Sequence, residues 1–416
     1  MNLPRVAVLH RPGGAATLHD IHRAASGVCE PVILVPDTVA AQQPAMVAAA
    51  RSGFLTRVVG PDSVPGACAE LRVAGLTTFH DLELDRVDDA AKLLGHPGAG
   101  TANRLWDKLN QRERLPARIS LPAAPVDSPA EFRAAVARIG MPAVLKPRRD
   151  TGGSGVAFIL DERDIRYQQR ARRRWRGLML ESRFTAAGRH PSGVPYLASF
   201  VSVETVCTAD LRRHVAIVDK LPVTVHRRTG DDGADTIRGT GDIVPCRLAE
   251  AHRRTVLDAV DRALEALGVR WRVTHTEVAL TAQGPVIIEV NGRVGGHLNR
   301  LMHLAESTDL VRAALQCAIG MTPPISEQTP AIWAMGYYPT FPVLGDTVRS
   351  RVSRRAIRAF PGVTGVTEVA HHGAPQAATR YRMANLTITA PDAGTLDTRF
   401  QQVRAGLEDL FADDQQ

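Results

Sequence analysis

Paired cysteines and long apolar stretches are both missing from this chain of 416 residues. The cysteines are odd in number, scattered, and never in a Cys-x-x-Cys pair: Cys29, Cys68, Cys207, Cys246 and Cys317. This pattern argues against a disulfide framework or a cysteine zinc site, and it is typical of a reduced, cytoplasmic chain with buried thiols. No stretch approaches the roughly 18 consecutive apolar residues of a membrane span, so we expect no membrane partner.

Acidic residues are slightly outnumbered by basic ones. The chain carries 51 Lys and Arg against 43 Asp and Glu, which gives a formal net charge of +8. An excess of this size could serve nucleic acid or small anionic ligands. The densest basic run, RARRRWRG at 170–177, would spread around most of a helix surface. We therefore interpret it as a solvated face and do not favour nucleic acid as a partner.

The first segment, residues 1–97, alternates strand-like and helix-like stretches. RVAVLH, PVILVP and LTRVVG are short β-branched runs, and DDAAKLLG predicts a helix that ends at a glycine. This alternation predicts a parallel, Rossmann-like sheet. The opening MNLPRVAVLH has no small-residue cleavage site and predicts a first strand instead of a signal peptide. The RPGG that follows lacks the full dinucleotide fingerprint.

The remaining sequence predicts two further segments, residues 98–329 and residues 330–416. In the larger one, Asp127-Ser128-Pro129 opens a helix, AEFRAAVARIG, with proline in its first turn. LMLESRF, YLASFVSVETVC and RRHVAIVDKL predict strands, and HRRTVLDAVDRALEALG predicts an amphipathic helix. The smaller segment predicts an α+β subdomain, with strands in AIWAMGYYPTF and MANLTITA and a helix in TLDTRFQQVRAGLEDLF.

Residues 273–293 predict a hairpin with a polar face. Alternation would put three apolar and three polar side chains of its second strand on opposite faces: Val286, Ile288 and Val290, and Glu289, Asn291 and Arg293. A three-residue loop with Gly284 in the left-handed conformation would set the register. In that register Glu277 faces Glu289, and His275 faces Asn291.

The chemistry of this face follows from its charges. Two facing carboxylates repel each other unless a cation lies between them, and such oxygen ligands suit Mg²⁺ or Mn²⁺. A solvated sheet face with carboxylates in water is the alternative. Arg293, beside a Gly-Gly turn that lets backbone approach a ligand, favours a site.

Two further motifs carry positive charge. Lys146 ends an apolar strand and precedes RRDTGGSGV, a glycine-rich loop whose amides could cover phosphates. This is not a Walker loop, and an ordinary mobile turn is the alternative. Lys108 lies on a predicted helix four residues before Arg112, on the same face.

Taken in order, DK, VLKP, TGGSGV, LESRF, HTEVAL and IIEVNGR resemble the ATP-grasp superfamily. More narrowly, the chain resembles the carboxylate–amine ligases that join amino acids, such as the bacilysin-type dipeptide synthetases. The resemblance runs from about Thr78 to Gly320 and includes RVGGHLNRLMHLAESTDLVRAALQCAIG. It implies an ATP-grasp fold with a Rossmann-like N-terminal domain and a small C-terminal α+β lid subdomain.

The resemblance also implies roles for individual residues. Nucleotide binding falls to two lysines, the phosphate-covering loop, the adenine hinge and a ribose carboxylate: Lys108, Lys146, Thr151, Gly152, Gly153, Ser154, Gly155, Val156, Glu181, Ser182, Arg183, Phe184 and Glu204. Metal binding falls to Glu277, Glu289 and Asn291. The catalytic residues would be Arg293, Lys220 and His275. Arg293 would steady the transferred phosphoryl group, Lys220 would lie near the substrates, and His275 would lie beside the metal-binding glutamate. The hinge is followed by the longer TAAGRHPSGVPYLASF in place of the family's short turn, and Val294 replaces a proline.

The function that the resemblance implies is ATP-dependent amide formation through an acyl phosphate, in bacterial natural-product biosynthesis. ATP and two Mg²⁺ or Mn²⁺ ions would be the cofactors, and a small-molecule acid and amine would be the substrates. A homodimer is left open. The alternatives are another ATP-grasp activity, such as carboxylation or formyl-phosphate-dependent purine synthesis, and a non-catalytic nucleotide- or nucleic-acid-binding protein.

Overall fold

The computed structural model describes residues 3–185, 188–305, 307–325 and 330–412, apart from the side chains of residues 102 and 103. Residue 329, the predicted end of the second segment, lies outside these ranges. All five cysteines are free and buried, as expected. In the described ranges, no helix is both long enough and apolar enough to cross a membrane.

The N-terminal segment forms the predicted parallel sheet, with four strands in the order β3-β2-β1-β4. Its elements are β1 Arg5–Leu9, α1 Leu18–Ala25, β2 Glu30–Pro36, α2 Asp37–Gln42, α3 Pro44–Gly53, β3 Leu55–Val59, α4 Val64–Glu70, β4 Val73–Thr77 and α5 Leu84–Leu94. Strand β4 is not evident in the sequence because Gly75 interrupts its apolar run. A Cβ at Gly75 would collide with the backbone of Ala318, so close packing explains the glycine.

A second, antiparallel sheet of four strands has the order β5-β8-β6-β7. This part of the chain contains α6 Ala102–Trp106, α7 Lys108–Arg114, β5 Ala123–Val126, α8 Pro129–Ile139, β6 Ala143–Pro147, β7 Ala157–Ile159, α9 Glu162–Ala171 and β8 Leu178–Ser182. Helix α8 begins as predicted, because the Ser128 side chain accepts from the Glu131 amide and Pro129 occupies the first turn. Asp107 caps α7 in the same way and separates it from α6.

The basic run at 170–177 is only partly the solvated face that the sequence predicts. Helix α9 ends at Ala171, so most of the run continues beyond the helix. Arg172 is buried and donates to the Gly155 carbonyl at 3.1 Å and to the Gln168 side chain. Trp175 is also buried and packs against Phe132. These two side chains have structural roles.

The largest sheet has eight strands in the order β15-β14-β9-β10-β13-β16-β18-β17. Its elements, with flanking ones, are β9 Phe200–Cys207, β10 Arg212–Lys220, β11 Thr224–His226, β12 Thr236–Arg238, β13 Gly241–Val244, α10 Glu250–Ala266, β14 Arg272–Thr281, β15 Gly284–Asn291, α11 Leu298–Leu304, α12 Leu310–Ala318, β16 Trp333–Tyr337, α13 Arg354–Arg358, β17 Val363–Val369, β18 Ala384–Ala390 and α14 Ala393–Leu410. Strands β11 and β12 pair separately. One face of the large sheet packs on α10, and the other on α11, α12 and the N-terminal segment.

The C-terminal segment continues this large sheet. Strand β16 pairs with β13, so that Gly241 faces Tyr337 and Val244 faces Ala334. Its apolar cluster, which includes α14, is continuous with Ile243 of β13. The segment is α+β, as predicted, and its strands share one set of backbone hydrogen bonds with the preceding segment. The division at residues 97 and 329 stays a prediction.

Candidate active site

The hairpin formed by β14 and β15 has the predicted pairing at its polar end. Glu277 lies opposite Glu289, and His275 lies opposite Asn291. The route to this register differs from the prediction. Thr281 pairs directly with Gly284, so the loop has two residues, and a β-bulge between Glu277 and Val278 restores the register.

Because of the bulge, the buried face of β15 differs from the apolar face that the sequence predicts. Ile287 and Val290 are fully buried against α10, whereas Val286 and Ile288 are only partly buried. An extra residue at the bulge shifts the alternation, so the strict alternating pattern predicted from the sequence is wrong at Val286 and Ile288, and Ile287 takes the buried position instead.

Two side chains of α7 hold the bulged edge strand. Arg112 donates to the carbonyls of Ile287 at 3.0 Å and Ile288 at 2.5 Å. The Gln111 side chain donates to the Val290 carbonyl and accepts from the Val290 amide, each at 2.9 Å. These contacts satisfy backbone groups that an outer strand would otherwise leave unpaired.

A buried carboxylate–imidazole pair lies behind the hairpin's polar face. The Glu204 carboxylate, which is fully buried, contacts His275 Nδ1 at 2.5 Å. The other ring nitrogen of His275 lies 3.5 Å from Glu277. Burial lowers the pKa of His275, but Glu204 and Glu277 outweigh it and raise the pKa to about 9. The ring is therefore a cation at neutral pH. Glu204, predicted to bind ribose, is committed to His275, and its ribose role stays a prediction.

Burial raises the pKa of Glu277, but His275, Lys220 and Arg293 outweigh it and lower the pKa to about 2. The side chains of Glu277 and Glu289 are 32% and 19% exposed, so both carboxylates are reachable from solvent. Lys108 Nζ lies 3.1 Å from Glu289 and donates to the Asp150 carbonyl at 2.7 Å. Glu289 therefore already forms an ion pair with one cation, Lys108.

Lys220 belongs to the same face of the large sheet. Its ammonium donates to Asp242, on the neighbouring strand, at 2.6 Å. Burial alone would lower the pKa of Lys220, but Asp242, Glu277 and Glu204 outweigh it and raise the pKa. Asp242 also accepts from the hydroxyl of Tyr338, just after β16. Lys220 is therefore a fixed positive charge near Glu277.

Lys146 and Glu181, which the sequence assigns to phosphate and adenine binding, contact each other. Lys146 Nζ lies 2.5 Å from one Glu181 oxygen, and Arg112 donates to the other at 2.9 Å. In the predicted hinge, the amides of Ser182 and Arg183 donate to the carbonyls of Pro122 and Pro142. Any backbone contact with an adenine edge therefore falls to other groups of the hinge, such as those of Phe184.

The glycine-rich loop, Thr151–Val156, is held at both ends. The Thr151 hydroxyl donates to Asp81 at 2.8 Å, and the Val156 carbonyl accepts from the Asp235 amide. Within the loop, Gly153 has φ +73°, and a Cβ there would press on Ile237. The loop therefore lies against the β11–β12 pair, with Ser154 and Gly152 exposed.

Asp81 is a site residue that the sequence analysis missed. It lies in a 3-10 turn, Asp81–Glu83, after β4, and its carboxylate accepts from Arg293 Nη2 at 2.5 Å. It is buried, and Arg293, Thr151 and Lys108 lower its pKa against the opposing effect of burial. The missed signal was its position, because ligands of parallel α/β sheets bind at the carboxyl ends of the strands.

The ligand set fits a hard divalent cation. Within the described ranges, no three His, Cys, Asp or Glu side chains surround one point. The predicted set instead combines Glu277, Glu289 and the buried amide of Asn291, all near the end of one hairpin. Reachable carboxylates with an amide oxygen are ligands that Mg²⁺ accepts, usually alongside waters and substrate phosphates.

Comparison with known proteins supports the predicted ATP-grasp fold. No protein-family model matches the chain. The crystal structure of an L-amino acid ligase from Bacillus licheniformis superposes with a TM-score of 0.73 at 17% identity, covering 97% of this chain and 98% of that one. An N5-carboxyaminoimidazole synthase from Aspergillus clavatus, in complex with ADP and its ribonucleotide, gives 0.67 at 16% identity, covering 98% and 99%. The chain has the ATP-grasp fold.

The predicted resemblance to ATP-grasp carboxylate–amine ligases is confirmed. Alanine–anticapsin ligase from Bacillus subtilis (strain 168) is 26% identical over 246 residues, 53% of this chain and 48% of that protein. Carnosine synthase 1 from Homo sapiens is 26% identical over 209 residues, 50% of this chain and 24% of that protein. The uncharacterized protein y4rH from Sinorhizobium fredii is 27% identical over 257 residues, which cover 60% of this chain and 49% of that protein. The matched region thus spans at most about half the length of these relatives.

Proposed function

We propose that this chain is an ATP-dependent, ADP-forming ligase that joins a small carboxylic acid to an amine. The observation that carries the proposal is the hairpin pair Glu277 and Glu289, two carboxylates facing each other beside three fixed cations. The cations are Lys108, Lys220 and Arg293. The similarity to alanine–anticapsin ligase supports an amino acid or a related acid as substrate. Natural-product biosynthesis is the setting that we propose.

In the proposed first step, the substrate carboxylate attacks the γ-phosphorus of ATP, and the bond between that phosphorus and ADP breaks. The product is an acyl phosphate. A carboxylate and a polyphosphate repel each other strongly, so the step depends on positioned positive charge. Arg293, held by Asp81, would face the transferred phosphoryl group, and Lys108 would reach the nucleotide phosphates. Glu277, Glu289 and Asn291 would hold Mg²⁺, which supplies further charge neutralisation when bound.

In the second step, the deprotonated amine attacks the acyl carbon, and the carbon–oxygen bond to phosphate breaks. The amide, inorganic phosphate and one proton result. An acyl phosphate hydrolyses in water, so the site must exclude solvent while it exists. The glycine-rich loop and the C-terminal segment are the parts we propose for this closure.

A second candidate is another ATP-grasp reaction on a one-carbon acid. It is favoured by a 34% identity over 98 residues to a formate-dependent phosphoribosylglycinamide formyltransferase from Stenotrophomonas maltophilia, 23% of this chain and 25% of that protein. The structural similarity to the N5-carboxyaminoimidazole synthase from A. clavatus is compatible with this second candidate. Formate and bicarbonate therefore belong among the acids to be tested.

The test is a screen of single acids with ATP, Mg²⁺ and hydroxylamine as a neutral nucleophile. We expect ADP and a hydroxamate to form together with one class of amino acid or related acid. Steady ADP release without any acid would contradict the ligase mechanism. Turnover with formate or bicarbonate alone would favour the second candidate.

A further inference from the structure

Three arginines lie together beside the proposed catalytic face, outside the ligand set described above. They are Arg238 at the end of β12, and Arg380 and Arg382 in the turn before β18. Arg238 Nε donates to the Arg380 carbonyl at 3.2 Å, and its guanidinium lies over the Tyr381 ring. Two polypeptide segments 142 residues apart thus bring like charges into one place.

No carboxylate forms a direct ion pair with the described guanidinium groups of this cluster. Arg293 and Arg247 pair with Asp81 and Asp397. Among the described residues, however, no Asp or Glu lies within ion-pair distance of the three clustered guanidinium groups. Burial lowers the pKa of Arg238 and of Arg382, and neighbouring arginines lower both further. Tyr338, Glu368 and Asp242 offset only part of this lowering at Arg382. Arg382 Nε is buried and has no hydrogen-bond partner there. Such an arrangement costs free energy unless an anion joins it.

The backbone under the cluster is strained. Arg380 and Tyr381 have φ of +54° and +60°, two consecutive residues other than glycine in the left-handed region. Such a conformation is unfavourable for these residues and persists where the surrounding structure fixes it, often at ligand sites. The Arg380 side chain lies close to Gly13, in the loop after β1, where a Cβ would lie 3.2 Å from Arg380 Nη2. Gly13 thus leaves room for the guanidinium.

The cluster is connected to the proposed catalytic face. The Arg382 guanidinium lies 5.1 Å from the centre of the Tyr338 ring, and the Tyr338 hydroxyl donates to Asp242. Asp242 in turn accepts from Lys220. On the other side, Ile237, adjacent to Arg238, packs on Gly153 of the glycine-rich loop. The cluster therefore lies between the loop and the Lys220 end of the face.

We propose that Arg238, Arg380 and Arg382 bind an anionic oxygen group, a carboxylate or a phosphate monoester, that the amine substrate carries away from its reacting nitrogen. This rests on the proposed function. The acid substrate must bring its carboxylate to Arg293 and the facing glutamates, so that carboxylate cannot occupy the arginine cluster. An amine that is itself anionic would be repelled by the nucleotide phosphates, and a separate cationic site holds its charge away from them. Guanidinium groups suit such groups through bidentate hydrogen bonds.

The experiment compares two nucleophiles with the acid found in the hydroxylamine screen. Hydroxylamine carries no anionic group and reports the activation step alone, whereas amide formation with amino acids reports the amine site. We expect free amino acids to be used with a KM at least 10-fold below that of their carboxamides. Aminoalkylphosphonates in place of the amino acids decide between carboxylate and phosphate recognition, according to which anion gives the lower KM.

Variants then locate the effect. The variants are Arg382→Gln and the double variant Arg380→Gln/Arg382→Gln. In both, the factor by which the KM for the amino acid rises should be at least 10 times the factor by which the rate of hydroxamate formation falls. The KM for the amino acid should then no longer be lower than the KM for its carboxamide. Arg404→Gln, an exposed arginine on α14, is the matched control and should change neither. Equal use of the amino acid, its carboxamide and the corresponding aminoalkylphosphonate by the unmodified chain would overturn the inference. A parallel loss of both reactions in the variants would overturn it as well. The absence of any hydroxamate would instead overturn the proposed function beneath it.

Discussion

At the scale of single residues, the site depends on charges that the fold holds ionised. Glu277 stays deprotonated because His275, Lys220 and Arg293 surround it, and His275 stays protonated because Glu204 is buried against it. The net effect is a reachable carboxylate pair with fixed cations around it. This is the charge pattern that phosphoryl transfer requires, since catalysis there is mostly positioning and electrostatic stabilisation.

Replacing Glu289 by glutamine tests the metal assignment at this scale. Glu289→Gln keeps the shape of the side chain and removes its charge, so we expect metal-dependent ADP formation to fall roughly 100-fold or more. The thermal unfolding midpoint should stay close to that of the unmodified chain. Glu250→Gln, at an exposed glutamate on α10, is the control. A rate within a factor of two of the unmodified chain would remove Glu289 from the ligand set.

A buried histidine predicts how acid affects the N-terminal segment. Burial, and then the nearby His80, lower the pKa of His10 from 6.5 to about 4. The neutral ring is favoured in the fold, so the stabilisation is complete above pH 6.5 and is lost as the pH falls towards 4. At pH 5 the loss amounts to about 2 kcal/mol. Urea unfolding at pH 7.5 and pH 5 should show a smaller decrease for His10→Gln; an identical decrease would contradict this account.

At the scale of elements, the hairpin was the best predicted part of the site. Its strands follow from sequence alternation. The pairings of Glu277 with Glu289 and of His275 with Asn291 were predicted from a three-residue loop, and the structure reaches them through a two-residue loop and a bulge. The loop length and the partners of Ile288 did not follow, because the bulge depends on Arg112 and Gln111. These residues lie more than 170 positions earlier, and no local pattern encodes such a contact.

Gln111 offers a test of how the edge strand is held. Gln111→Leu keeps the volume roughly constant but leaves the Val290 amide, the Val290 carbonyl and the Leu105 carbonyl without their partner. We expect the free energy of unfolding to fall by about 2 to 4 kcal/mol, because buried polar groups become unsatisfied. Urea unfolding measures this, with Arg114→Ala, exposed on the same helix, as the control. A loss no larger than that of the control would show that the strand is held by other contacts.

At the scale of the whole molecule, distant segments meet at the site. Arg293 was predicted as a phosphoryl ligand, but its partner Asp81 lies 212 residues away on the N-terminal segment. The order of motifs predicted the ATP-grasp fold. It could not predict that the parallel sheet contributes a carboxylate, because only the packing of the two segments brings Asp81 to Arg293 and Thr151.

The junction between β13 and β16 makes the C-terminal segment part of the central sheet. A methyl group at Gly241 would collide with the Gly336 carbonyl and the Leu221 side chain. We therefore expect Gly241→Ala to lower the free energy of unfolding by about 1 to 3 kcal/mol. Gly239→Ala, two residues away in open space, is the control and should change little. Equal unfolding curves for the two variants would mean that the junction tolerates displacement.

The central claim is that Glu277 and Glu289 hold a divalent cation for a bound nucleotide, and a crystal structure with ADP and Mn²⁺ tests it most directly. The anomalous signal of manganese locates the ion without reference to the protein ligands. The account predicts an ion at about 2.0 to 2.3 Å from both carboxylates and from the Asn291 oxygen, in contact with the ADP phosphates. An ion located elsewhere, with both glutamates directed away from it, would contradict the account.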